Sequence, residues 1–225
     1  MAFMKASTKA EDVSSGSGGK HITKSGAYPV RVLAPIVDVS KNGSTTINLY
    51  VDHKGQKQVI YGNLRISNND GSDNKIGKTA FNQLLICAGI EEVAEPVEAD
   101  LPIGKKEAMK TVAILEDLCD VDVILRVQME FSKYKGSYQE KKTIRGFFRD
   151  GDFASAEEIV NESDVGAAWE REQEYLNNIT YKDVTPEEIQ DWIKAKRPKG
   201  TAPDNGSGDT PKEKPSFGKK RTFGK

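Results

Sequence analysis

The sequence predicts a mainly β protein with added α structure, in which one helix separates three strands from two further strands. Short segments with alternating apolar residues recur through the first two thirds of the 225-residue chain. Residues 76–90 interrupt this pattern, because their apolar side chains recur at helical spacing. After Asp150 the chain carries short amphipathic segments that are typical of helices. These three observations predict a five-stranded β domain followed by a helical extension.

Three strands are expected before the helix. Residues 28–39 are rich in β-forming residues, and their two prolines suit an edge or irregular strand. Residues 57–66 form the third strand after a turn. Between them, residues 45–52 alternate, and this predicts that Ile47, Leu49 and Val51 share one face and Thr46, Asn48 and Tyr50 the other.

The helix over residues 76–90 is expected to end at Gly89, a typical C-cap. The acidic, proline-containing residues 91–110 follow as a long excursion without an assigned element. Residues 120–131 have the clearest alternation in the chain and predict the fourth strand. The fifth strand, residues 138–149, follows a turn.

Three strands, a helix and a closing hairpin are the layout of an OB-like barrel, which we expect over residues 26–153. An SH3-like barrel or another five-stranded β domain is the alternative. Residues 1–25 are rich in Ser, Gly and Lys and predict a flexible N-terminus, and residues 154–197 predict an acidic helical extension. Within the extension, Thr185 to Glu188 read as a capping box that opens a helix. The composition of residues 198–225 predicts a disordered basic tail.

The formal net charge is −1, but the charges are segregated along the chain. Residues 131–149 hold six Lys and Arg, one acid and five aromatic residues, whereas residues 150–193 hold thirteen acids and two bases. Cations attract phosphates and exposed aromatic rings stack on bases. The basic, aromatic hairpin is therefore the best candidate for a nucleic-acid-binding site, although an ordinary charged strand above an aromatic cluster is the alternative.

The candidate binding residues fall into two chemical classes, aromatic and basic. For stacking on bases we expect Tyr50, Tyr61, Tyr134, Tyr138 and Phe147. For phosphate contacts we expect Lys57, Arg65, Lys133, Lys135, Lys141, Arg145 and Arg149. Phe147 and Phe148 are neighbours on one strand, so one of the two is expected to point away from the core.

No motif supports catalysis, a metal or a cofactor, so the chain is expected not to be an enzyme. Five residues separate Gly71 from Gly77, where a phosphate-binding P-loop needs four. His21 and His53 lack the spacing of zinc ligands. The two cysteines lie in apolar contexts, and no apolar run is long enough for a membrane span. These features predict a cytoplasmic location.

The chain resembles bacteriophage-type single-stranded-DNA-binding proteins with one OB-fold. The resemblance lies in GAYPVRVLAPIVDVSKNGSTTINLYV, GKTAFNQLLICAGI and FSKYKGSYQEKKTIRGFF, within about residues 26–153. It implies sequence-independent coating of single-stranded DNA in phage replication, recombination and repair, in the host cytoplasm. It also implies replication or recombination proteins as partners, and a homo-oligomer or cooperative filament on DNA. Such proteins usually end in an acidic tail, whereas this tail is basic.

Two other functions fit the same residues. A protein-interaction module, such as a phage adaptor or an inhibitor of a host protein, would use the acidic segments. RNA binding is the second, because stacking and phosphate contacts do not distinguish RNA from DNA without a 2′-hydroxyl contact. The tail repeats a Phe-Gly-Lys motif at 217–219 and 223–225, which could stack on bases, dock on a partner or only solubilise the chain.

Overall fold

A computed structural model describes residues 21–103 and 107–196 of the chain. Most of the predicted N-terminal segment 1–25, and all of the predicted tail 198–225, lie outside these residues. Two residues at the end of the N-terminal segment are buried: Ile22 and Ser25. The backbone N–H of Ile22 donates to Oε1 of Gln58 at 3.3 Å.

The described residues form two compact units, one of residues 21–23 and 29–123 and one of residues 24–28 and 124–196. The strands of the first unit are β1 (Gly26–Val39), β2 (Thr45–His53), β3 (Gln56–Arg65), β4 (Val97–Leu101) and β5 (Lys110–Ile114). The first three residues of β1 belong to the second unit. The strand order is β3-β2-β1-β5-β4, and each pair of neighbours in this order is antiparallel.

The predicted helix is present as α1 (Lys75–Ala88), and Gly89 ends it in the left-handed conformation with φ 71°. Its start is capped by Asn74, whose side chain accepts a hydrogen bond from Gly77 N at 2.9 Å. Gly77 lies directly against the end of β3, because a Cβ there would stand 1.6 Å from the Arg65 carbonyl oxygen. A glycine at this position therefore allows the helix to pack closely against the strand. An ion pair between Lys78 and Asp73, 2.6 Å apart, also lies at the start of the helix.

Strand β4 lies in the acidic stretch 91–110, to which the sequence assigned no element, and β5 begins at its end, so the hairpin β4–β5 was not predicted. Ala99, Leu101 and Ile103 pack, together with Val112, against a buried cluster of Ala34, Ile36, Tyr50 and Ile114. Both strands have only five residues, and Ile114 alone is buried among them, which leaves little hydrophobic alternation to read. The hairpin joins the sheet through the pairing of β5 with β1, which is remote in sequence.

The second unit is built on the long hairpin of β6 (Val121–Tyr134) and β7 (Ser137–Arg149), of which residues 121–123 belong to the first unit. The helices α2 (Ala156–Val160), α3 (Ala167–Gln173) and α4 (Pro186–Lys196) follow, with a short strand β8 (Thr180–Lys182) before α4. Strand β6 pairs with β1, β7 and β8, and its pairing with β8 is parallel. The core of this unit contains Ala27, Ile124, Phe148, Trp169 and Leu176.

Side-chain caps fix the helices of the extension. The predicted capping box at the start of α4 is confirmed, since Thr185 N donates to Glu188 Oε2 at 2.9 Å and Glu188 N donates to Thr185 Oγ1 at 3.3 Å. Ser155 and Glu158 form a second capping box on α2. Oε1 of Glu158 also accepts from Ala168 N at 2.8 Å, which ties α2 to α3.

The mainly β fold with added helices is confirmed. The described residues contain eight strands where five were expected, and their sheet is open, with β3 and β4 at the ends of the first unit's strand order. Among the same residues, no helix is both long and apolar enough to cross a membrane.

Candidate nucleic-acid interface

The hairpin β6–β7 has a two-residue turn, Lys135-Gly136. Both residues have positive φ, 47° and 79°, which matches the type I′ turn that suits the twist of a tight hairpin. Tyr134 is the last residue of β6, so its side chain stands beside the turn. The turn therefore places an aromatic ring at the end of the hairpin.

Two tyrosines near the turn each carry a lysine over their ring. Lys135 Nζ lies 5.3 Å from the centroid of Tyr134, and Lys133 Nζ lies 5.0 Å from that of Tyr138. The Tyr134 residue is 59% exposed, whereas Tyr138 is half-buried. Tyr134 can therefore stack on a base while the adjacent ammonium groups lie within reach of the backbone phosphates.

Four cations of the hairpin have no carboxylate partner among the residues that the structure describes: Lys133, Lys135, Lys141 and Arg145. All four side chains are exposed. The guanidinium of Arg145 donates from Nε to Gln128 Oε1 at 2.6 Å, a neutral partner that leaves its charge uncompensated. The hairpin thus presents positive charge that a phosphate backbone could neutralise.

Arg149 differs from these four. It forms two hydrogen bonds to Asp152, from Nη2 at 2.6 Å and from Nε at 3.1 Å. The guanidinium lowers the pKa of the Asp152 carboxyl, against the opposing effect of partial burial. Because its charge is already paired, we remove Arg149 from the phosphate-binding set.

Phe147 is also removed, from the set of residues expected to stack on bases. It is 3% exposed, and its neighbour Phe148 is 5% exposed, so neither ring points away from the core. Phe148 packs edge-on against Trp169 of α3 with 5.2 Å between the ring centroids. The helical extension therefore supplies an apolar environment for Phe148, which the alternation of the strand could not reveal. Phe147 is buried as well, so it is not available for stacking on bases.

An aromatic brace supports the hairpin from the C-terminal segment. It comprises Phe131, Tyr138, Tyr181 of β8 and Trp192 of α4. Tyr181 stacks on Phe131 at 6.0 Å, and Trp192 contacts Phe131 at 6.5 Å and Tyr138 at 5.9 Å. Tyr138 contacts both Trp192 and Lys133, so we assign it a supporting role.

The part of Tyr181 in this contact was missed in the sequence, whereas Trp192 was one of several apolar residues of the extension that could pack against the barrel or each other. Tyr181 and Trp192 lie more than 30 residues beyond the end of the hairpin, so no local spacing connects the two regions. The one available signal was the presence of aromatic residues in a segment that is otherwise acidic and polar. Lys196 adds to this contact, with Nζ 4.6 Å from the Trp192 centroid and 3.9 Å from Glu140 Oε2.

The other candidate residues belong to the first unit. Lys57, Tyr61 and Arg65 are exposed on β3, and the exposed fraction of Tyr61 is 63%. Tyr61 lies where the register of β2 and β3 shifts, between the pairs Ile47–Leu64 and Leu49–Ile60. This irregular edge strand keeps an aromatic residue and two cations at the surface.

Tyr50 is only 5% exposed and is removed from the set of stacking residues. Alternation correctly separated it from Ile47, Leu49 and Val51, but the β4–β5 hairpin covers the opposite face too. Burial raises the pKa of the Tyr50 hydroxyl, with smaller contributions from the negative charges of Glu107 and Asp52. The ring is a core residue.

Among the described residues, no group of three or more His, Cys, Asp and Glu side chains is arranged to hold a metal ion. The imidazole of His53 is instead buried, with Nδ1 2.8 Å from the Pro29 carbonyl oxygen. Neither protein-family models nor curated proteins give a match to this chain.

Proposed function

We propose that this chain binds single-stranded DNA without sequence preference, through the β6–β7 hairpin. One observation carries the proposal: the hairpin has an exposed aromatic ring, Tyr134, at its tip and four exposed cations along it that no described carboxylate neutralises. A single strand offers unstacked bases and a continuous row of phosphates. The tip matches both features, and neither contact reads the identity of a base.

The proposed interface comprises Lys133, Tyr134, Lys135, Lys141 and Arg145, with Tyr138 in support. Lys57, Tyr61 and Arg65 of β3 form a second exposed group of the same chemistry in the first unit. Stacking contributes about 1–3 kcal/mol per base, and each neutralised phosphate adds a salt-dependent increment. The proposed role is binding, with no catalytic step and no cofactor.

An OB-like topology is the more specific fold that we propose. The succession β1, β2, β3, α1, β6, β7 is that of an OB-fold, with the β4–β5 hairpin as an insertion after the helix. OB-folds bind oligonucleotides, which agrees with the chemistry of the hairpin. By the resemblance of its sequence, we place the chain in phage DNA replication, recombination and repair in the host cytoplasm. There it would coat strands as a cooperative filament or oligomer and meet replication or recombination proteins.

Fluorescence anisotropy tests the binding directly. The full-length chain is titrated into labelled oligo-dT, an oligo-U of equal length and a blunt duplex, over a series of salt concentrations. We expect tight, salt-sensitive binding to the DNA strand and weak binding to the duplex. Tight binding to oligo-U alone would transfer the function to RNA, and absence of binding to all three at low salt would contradict the proposal.

A second candidate function, docking to another protein, is favoured by the surface of α2 and α3. Val160 and Val165 are exposed there, 65% and 41%, beside the acidic Glu157 and Asp164. A cavity of about 390 Å³ lies in the same region. Pull-down from host lysate with wild-type chain and with Val160→Ser/Val165→Ser would test it. Two results together would favour this function: the chain does not bind DNA, and a partner is captured by the wild type but not by the variant.

A further inference from the structure

We infer that the hairpin tip recognises the junction between single-stranded and duplex DNA, where Tyr134 stacks on the terminal base pair. This inference rests on the proposed single-strand binding and adds the structure of the preferred substrate. It depends on three features of the tip: the position of the ring, the number of its open faces, and the stiffness of the hairpin.

The position of Tyr134 differs from that of a platform inside a binding groove. Its ring lies at the last strand residue before a two-residue turn and is 59% exposed. The next ring along the hairpin, Tyr138, is half-buried and contacts Trp192. The tip therefore offers one isolated stacking ring, where a row of rings would be needed to hold successive bases.

Tyr134 also offers one face more readily than the other, since the ammonium group of Lys135 lies over its ring at 5.3 Å. The terminal base pair of a duplex likewise has a single open face. Stacking the two would bury both surfaces, while Lys133 and Lys135 would remain at the point where the two strands diverge. Neither lysine has a described carboxylate partner, so the ammonium groups are available to bind phosphates of either strand.

The aromatic brace makes the hairpin stiff enough for this role. Phe131 and Tyr138 lie within four residues of the turn, and both are packed against Trp192. Lys182 of β8 adds an ion pair to Glu130 of β6 at 2.9 Å. A supported hairpin loses little conformational freedom when its tip stacks on a base pair, which favours a defined contact.

The test measures the affinity of the full-length chain for three labelled DNAs: a dT strand, a blunt stem-loop duplex, and the same stem-loop with a dT overhang of the same length as that strand. We expect the overhang DNA to bind about tenfold more tightly than the strand, which corresponds to about 1.4 kcal/mol. A 2-aminopurine in the terminal base pair should change its fluorescence on binding. Tyr134→Ala should abolish the preference and the signal, whereas Tyr134→Phe, which keeps the ring, should retain both.

Tyr175→Ala is the matched control, because Tyr175 is also exposed, 53%, but lies outside the hairpin and the brace. Equal affinity for the strand and the overhang DNA would overturn the junction assignment and leave single-strand binding intact. Equal affinity for the blunt and overhang duplexes would also overturn it. Failure to bind the dT strand at low salt would instead contradict the proposed function itself.

Discussion

At the scale of single residues, the cations of the second unit differ in whether a carboxylate neutralises them. Arg149, Lys182 and Lys194 lie within 3.4 Å of Asp152, Glu130 and Asp191, respectively. Lys133, Lys135, Lys141 and Arg145 lack such a partner among the described residues. Ion pairing, which a sequence does not display, therefore narrows the candidate phosphate contacts.

This difference predicts the salt dependence of two variants. Lys133→Gln/Lys135→Gln should weaken binding to oligo-dT, and the slope of log affinity against log salt should become less steep by about 0.7 for each lysine lost. Anisotropy titrations over a salt series measure the slope. Lys194→Gln is the control, since its ammonium is paired with Asp191 on α4. An equal effect of the control would show that net charge, and not the tip, governs binding.

Gly77 is required for packing. In Gly77→Ala the new Cβ would meet the Arg65 carbonyl oxygen at 1.6 Å, so either α1 or β3 must move. We expect the free energy of unfolding to fall by about 3 kcal/mol, measured by chemical denaturation. Gly146→Ala is the matched control, because nothing lies within 4 Å of its Cβ position. A neutral Gly77→Ala variant would contradict the close approach.

Glu158 predicts a pH dependence of stability. Burial by itself would raise the pKa of its carboxyl, but hydrogen bonds from the backbone of Ala168 and from Ser155 outweigh that effect and lower it. A carboxyl with a lowered pKa in the fold stabilises fully above its unfolded pKa, near 4.5, and loses this contribution as pH falls through the folded value.

Glu158→Gln should therefore lower the free energy of unfolding at pH 7 by about 1.5–3 kcal/mol. The difference between variant and wild type should shrink at acidic pH, where the wild-type carboxyl is also neutral. Urea denaturation at both pH values measures it. Glu157→Gln, an exposed neighbour, serves as control. A constant difference at both pH values would mean that the charge of Glu158 does not contribute.

At the scale of elements, the second unit depends on contacts between its hairpin and the segments that follow. The pair β8–α4 contributes Tyr181 and Trp192 to the aromatic brace, and α3 contributes Trp169 to the core. The acidic extension is therefore a structural support of the basic hairpin.

Trp192→Ala should loosen the hairpin. Loss of the indole removes its contacts with Phe131 and Tyr138, and aromatic pairs are worth about 0.5–1.5 kcal/mol each beyond their buried area. We expect faster amide hydrogen exchange at the tip of β6–β7 and weaker binding to oligo-dT, whereas Trp192→Phe should recover part of both. Unchanged exchange in Trp192→Ala would rule out support of the hairpin by α4.

At the scale of the whole molecule, charge is divided among separate segments. Residues 150–193 are strongly acidic, whereas residues 197–225 hold eight bases and three acids. The chain as a whole is nearly neutral, so its net charge gives no indication of nucleic-acid binding. Any electrostatic attraction to DNA must come from particular segments.

Deletion of residues 197–225 tests the contribution of the basic tail. We expect a lower affinity for oligo-dT and a less steep salt dependence, because cations that could meet phosphates are lost. The thermal unfolding midpoint should not change, since the deletion spares every described residue. A second variant has the order of residues 212–225 shuffled, which keeps the charge of the tail but removes the Phe-Gly-Lys repeats. Its affinity shows whether the charge or the repeats contribute to binding. An unchanged salt slope in the deletion variant would leave the tail a solubilising role.

The sequence by itself determined the strands and helices whose signals are local. Alternation over 120–131 and 45–52, the cap at Gly89 and the capping box at Thr185 were all readable, because each involves residues a few positions apart. The aromatic and basic composition of the hairpin was equally visible, and with it the residues of the tip.

Only the tertiary structure decided which of those residues reach the surface. Tyr50 is buried because β4–β5 supplies apolar partners from a distant part of the chain, and Phe148 is buried against Trp169 of α3, so that Phe147 and Phe148 are both buried although they are adjacent on one strand. Arg149 is the exception, because the carboxylate that neutralises it, Asp152, is only three residues along the chain. Local periodicity shows that two faces of a strand differ, but whether the polar face meets solvent depends on what packs against it, and that requires contacts over long sequence separations.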